Sequence, residues 1–145
     1  MKTPWWSLRL TAEDLNEQVT KYSELSIAKS YRGQVVIFFL FIFVISLGVS
    51  FLSPEVLAPQ EVIYSFLIYA VLVSFGYRGH RWALIALLIF WAVDKLVTIY
   101  FVAAIKPGST VPSIFFLVIG SVAVFRALRV AIERKRRISQ SPQAA

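Results

Sequence analysis

The sequence predicts an all-α integral membrane protein: a four-helix transmembrane bundle preceded by a cytoplasmic amphipathic helix. Three observations carry that prediction. Four apolar runs of about 20 residues are separated by short polar breakers. Only 16% of the 145 residues are charged against 58% hydrophobic, where a soluble domain carries about a quarter charged. Lys and Arg gather on one side of the four runs.

The first run, residues 34–52, reads QVVIFFLFIFVISLGVSFL and holds no charge. At 1.5 Å per residue it covers about 28 Å, close to the hydrocarbon thickness of a bilayer. The second occupies 56–77, with Pro59 and Glu61 near its start, so its firmly apolar part begins at Val62. The third is 82–105. The fourth is 112–132, with Pro112 suited to a first helical position. Ser53-Pro54, Arg78-Gly79-His80-Arg81 and Lys106-Pro107-Gly108-Ser109 break the runs. Continuous apolar stretches of this length satisfy their backbone groups in hydrocarbon only as helices, because barrel strands would alternate. The chain therefore divides into an interfacial segment (1–33), a four-span domain (34–132) and a basic, disordered cytoplasmic tail (133–145).

Orientation follows the cations. Lys2, Arg9, Lys21, Lys29, Arg32, Arg78, Arg81, Arg129, Arg134, Lys135, Arg136 and Arg137 fall on one side, and Lys106 alone on the other, which also holds Glu55 and Glu61. The rule that cations stay inside places both termini in the cytoplasm. With some 30 polar residues ahead of it, the first span is expected to act as an uncleaved anchor. Small size and short loops point to a bacterial inner membrane. The formal charge of +7 then serves topology and anionic headgroups rather than nucleic acid. Arg134-Lys135-Arg136-Arg137 is expected to be that headgroup and topology signal, and Trp5 and Trp6 interfacial anchors.

Residues 11–30 read as an amphipathic helix. Thr11 followed by Asp14 resembles a capping box, Leu15, Val19, Tyr22 and Leu25 recur at helical spacing, and Glu17 and Lys21 make an i,i+4 pair. The expectation is a helix leaning on its own bundle.

The costly feature is Asp94-Lys95 in the third span. Asp94 lies about 18 Å in, at mid-membrane depth. Two charges there cost about 5 to 7 kcal/mol on insertion scales, and the apolar residues of the span return roughly 4 to 8. Asp94 is therefore expected to face protein rather than lipid. Neighbours on a helix point about 100° apart, so each charge is expected to need another partner. Trp91 is placed for a cation–π contact with Lys95, and Thr98 shares a face with Asp94. Matching depths along the other spans brings Ser46, Tyr64, Ser65 and Ser121 to the same level, a candidate intramembrane polar site. Arg126, near the cytoplasmic boundary, is expected to snorkel outward.

Gly120, Ala123, Ala127 and Ala131 form a stripe of small side chains in the fourth span, suited to close helix packing. Tyr31-Arg32-Gly33 and Tyr77-Arg78-Gly79 hint at two related hairpins. With no cysteine, thiol catalysis and thiolate ligation are excluded. The single His80 makes a His-based metal site improbable, and no Gly-rich phosphate loop or Ser-His-Asp set exists. The chain does not resemble small multidrug exporters, whose working carboxylate lies in the first helix; this first span has no acid. No cofactor, metal or catalytic residue is expected. The expected partners are the bilayer and either further copies or other membrane subunits. Two functions compete: a non-enzymatic protein acting by association, and a small ion- or proton-coupled transporter or channel using Asp94.

Overall fold

The computed structural model describes residues 10–52, 58–105 and 111–140, without the side chains of 102 and 105. The expectations for Trp5, Trp6, Ser53-Pro54, Glu55, residues 106–109 and the last five residues lie outside these. Five helices follow in order: α1 (Ala12–Thr20), α2 (Tyr31–Leu52), α3 (Pro59–Tyr77), α4 (Arg81–Ile105) and α5 (Val111–Gln140). The last four are long and apolar enough to cross a membrane. They pack in a ring in which α2 touches α3 and α5, and α4 touches α3 and α5. Consecutive helices thus lie side by side, as short connections require.

The inside of the ring follows from side-chain periodicity. On α4, Ala83, Leu84, Leu87 and Trp91 recur every three or four residues and are buried, while Ile85, Ile89, Phe90, Val93, Leu96 and Val97 point out. Val35 and Phe39 from α2, Leu72 and Val73 from α3, and Val124, Ala127 and Ala131 from α5 complete the core. Trp91 crosses the ring, meeting Phe38 and Phe39 edge-on at 5.4 and 5.3 Å between ring centres. Its indole fits because α5 presents Gly120. A Cβ there would fall 2.6 Å from Cε2 of Trp91 and 2.8 Å from Cε1 of Phe38. The small-residue stripe thus faces inward: Gly120, Ala127 and Ala131 are buried, and Ala123 packs against the core. The outer surface is apolar on every span, with Phe41, Val44, Leu67, Phe101 and Phe115 all more than half exposed. Apolar patches of that extent are rare on soluble monomers.

Helix α3 begins at Pro59 rather than 56, and α4 and α5 each begin one residue early; three further boundaries differ from the sequence expectation. The amphipathic helix ends at Thr20, and 21–30 form turns instead. Thr11 does cap it, its Oγ1 accepting from the Asp14 N–H at 3.2 Å, and Leu15, Val19, Tyr22 and Leu25 are its half-buried side. Helix α2 begins at Tyr31, three residues early, because Ser30 Oγ and the Gln18 side chain accept from the N–H groups of Gly33 and Tyr31. Helix α5 runs on to Gln140, so residues 133–140 are helical rather than a disordered tail. Two ties stabilise this extension. Arg137 pairs with Glu133 one turn earlier at 3.2 Å and donates to Asn16 Oδ1 of α1 at 2.7 Å.

The same end of the ring carries an arginine–tyrosine stack. The Arg32 guanidinium lies between the rings of Tyr22 (4.1 Å) and Tyr77 (4.5 Å) and donates to the Tyr22 carbonyl at 2.6 Å and the Tyr77 carbonyl at 3.3 Å. Arg134 covers the Tyr22 ring at 4.0 Å. Arg134 and Arg137 therefore turn toward protein, and only Lys135 and Arg136 of the basic run are exposed. Arg126 is also buried, not snorkelled, with its guanidinium 5.3 Å from the Tyr31 ring. The two Tyr-Arg-Gly triplets are not equivalent. Gly33 sits within the first turn of α2, where a Cβ would strike the Ile27 carbonyl, while Gly79 lies in a turn with φ of 93°.

Candidate functional site

Helices α2, α3 and α4 diverge enough to leave an open groove of about 520 Å³, within the range of small-molecule sites. Its residues recur with the helical period along each helix, singly or as adjacent pairs, so each helix gives one face. Val36, Phe39, Phe43 and Ser46 come from α2. Glu61, Ser65, Phe66, Tyr69 and Ser74 come from α3. Trp91, Asp94, Lys95 and Thr98 come from α4. Glu61 and Ser74 are thirteen positions apart on α3, so the groove is about 20 Å long. Five aromatic rings line it, four of them in stacked pairs: Phe39 on Tyr69 at 5.1 Å and Phe43 on Phe66 at 3.8 Å.

Asp94 and Lys95 sit halfway along α4, and the two charges meet each other. Lys95 Nζ is 2.8 Å from Asp94 Oδ2. The expectation that adjacent residues diverge holds for their Cβ atoms but not for the end of a long side chain. Lys95 folds back over Trp91, one turn earlier, with its ammonium 4.7 Å from the ring centre, and this brings it to the carboxylate. Burial is unequal: the Lys95 side chain is 19% exposed and that of Asp94 47%. Asp94 is thus on the lip of an open groove rather than enclosed between helices. Thr98 returns its hydroxyl to the Asp94 carbonyl at 2.8 Å, and Ser74 does likewise to Ala70 at 2.7 Å, so neither hydroxyl costs an unmade hydrogen bond.

Of the expected polar site, the groove collects Asp94 and Lys95, their helical neighbours Trp91 and Thr98, and the depth-matched Ser46 and Ser65. Tyr64 and Ser121 are elsewhere: Tyr64 points outward at 69% exposed, and Ser121 is half-buried on α5, which contributes nothing to the groove. Depth fixes height along a helix but not rotation, and the rotation of α3 that turns Ser65, Phe66 and Tyr69 to the groove turns Tyr64 away. Glu61 and Tyr69 belong to the groove and escape depth matching. Their signal is periodicity: Glu61, Ser65, Tyr69 and Val73 are each four apart. Among the described residues no group of three His, Cys, Asp or Glu is placed to hold a metal ion.

The chain matches no protein-family model, no curated protein and no solved structure.

Proposed function

We propose that this is a multi-pass membrane protein, both termini cytoplasmic, that moves or couples to an ion through the α2/α3/α4 groove. In this reading it works without covalent chemistry, Asp94 is the carrier and Lys95 its modulator. One observation carries it: the Asp94–Lys95 pair stands on the wall of an open cavity halfway along the helix. A pair that served only to lock helices together would be enclosed by them. Carboxylates at such depth are costly against hydrocarbon and mark ion or substrate paths when they face a cavity that water can enter, as an open groove allows. The outward apolar surface of all four long helices supports the bilayer as surroundings. A bacterial plasma membrane is the accompanying proposal, from the small size and short connections.

The test is flux into liposomes carrying the purified protein. Wild type passes protons or a small cation, and Asp94→Asn abolishes passage while eluting at the same volume. Absence of flux across a broad panel of ions overturns the reading.

A second reading has its own observation. Half-exposed Asp94 shares α4 with outward-facing Phe90, Val93 and Val97, so another protein element could cover it where water does not. The protein would then act by association, as a homo-oligomer or as an accessory subunit. The inward-facing small-residue stripe gives this reading no support. The mass of the gently extracted complex distinguishes the two, since stoichiometric foreign subunits favour association.

A further inference from the structure

The groove already holds one organic cation, the side chain of Lys95. Its ammonium is bound by a carboxylate at 2.8 Å and by an aromatic face at 4.7 Å. Those are the two elements by which proteins hold ammonium-type ligands. The site is far larger than an ammonium needs, at about 520 Å³. The surplus is walled by the stacked pairs Phe39–Tyr69 and Phe43–Phe66. Formally the groove carries two negative charges, Asp94 and Glu61, and one positive, Lys95. We infer that the groove binds an organic cation with a bulky apolar body, and that Lys95 is the built-in competitor which such a ligand displaces from Asp94 and Trp91.

The alternatives fit the same wall poorly. An organic anion would meet two carboxylates and a lysine whose charge is already taken. A bare metal cation would use the carboxylates and hydroxyls of the groove but leave its stacked ring faces without a role. A neutral apolar molecule would leave the ion pair beside it desolvated without compensation. Only a cation with an apolar body uses both the charge excess and the rings. The inference rests on the reading that the groove is the working site, but it concerns binding and not passage.

The two α4 charges make opposite predictions, which a folding defect cannot imitate. The experiment is equilibrium binding of tetraphenylphosphonium to the purified full chain in a neutral detergent. A pH near 8 is well above the ordinary carboxylate range. Tetraphenylborate, with the same shape and the opposite charge, serves as competitor. Saturable binding is expected for wild type, with no competition from the borate. Asp94→Asn weakens it by about tenfold or more, and Lys95→Met tightens it by about tenfold. Should Lys95→Met not fold, Lys95→Gln retains the stem and loses the charge, and the same tightening is expected. No saturable binding, equal competition by the borate, or weakening by both classes of substitution overturns the inference. Ion flux without phosphonium binding would defeat the inference and leave the proposed function standing. Phosphonium binding with the opposed shifts but no flux would do the reverse.

Discussion

Gly120→Ala tests how the groove's inner wall is held. The added methyl carbon would lie 2.6 Å from Cε2 of Trp91 and 2.8 Å from Cε1 of Phe38. Relaxed carbon contacts are about 3.5 to 4 Å, so the deficit is roughly 1 Å against both rings. Trp91 has little room to retreat: Phe38, Phe39 and Tyr69 surround it with ring centres at 5.4, 5.3 and 6.3 Å. Either α5 moves away or the indole is pushed toward the groove. Overpacking of this kind costs about 1 to 3 kcal/mol. The assay is reversible unfolding in mixed micelles, run as a double-mutant cycle with Trp91→Phe. The smaller ring withdraws from Gly120, so Gly120→Ala should cost little in the Trp91→Phe background. A coupling of about 1 kcal/mol or more is expected. If Gly120→Ala is neutral in wild type, or its cost persists unchanged beside Trp91→Phe, the two helices are not held by this contact and the account of the groove wall fails.

Two other outcomes can be checked independently. Arg32→Ala removes two cation–π contacts and two donated hydrogen bonds, together worth about 2 to 4 kcal/mol locally. Hydrogen exchange over 12–29 should rise sharply while the core positions around Leu87 keep their protection; unchanged exchange in α1 would show that the stack does not hold it. Because the chain has no cysteine, topology can be read without background. Gln60→Cys should react with a membrane-impermeant maleimide from outside intact cells and Ser139→Cys only after permeabilisation; the reverse pattern would invert the proposed orientation.

The four long helices were legible because apolar runs of bilayer length leave a chain few alternatives. Trp91 with Lys95, Thr98 with Asp94 and Glu17 with Lys21 followed from i,i+4 spacing, which is a property of one helix. What spacing cannot supply is rotation relative to neighbouring helices. That is why sequence depth alone puts Ser121 and Tyr64 beside Asp94 and misses Glu61 and Tyr69. The end of α5 is hidden from the sequence for a related reason. Arg134-Lys135-Arg136-Arg137 looks like a solvated run when only composition is considered. Its helix depends on Asn16 and Tyr22, which are more than 100 positions away in sequence. Arg126 looked like a snorkelling residue because nothing in the sequence tells that Tyr31 lies beside it.

Helix α5, at 30 residues and about 45 Å, outreaches a hydrocarbon layer by roughly half. It is a single rigid rod gripped at two heights. Arg134 and Arg137 grip it near its C-terminal end through Tyr22 and Asn16, and Trp91 grips it at Gly120. The grips at Arg137 and Gly120 are seventeen positions apart, about 26 Å, so a tilt of about 3° pivoting at Arg137 displaces Gly120 by more than 1 Å. The space beside the indole does not tolerate that. Asn16 of α1 and Trp91 of the groove wall therefore touch one continuous helix, so a displacement of α5 at one contact is a displacement at the other.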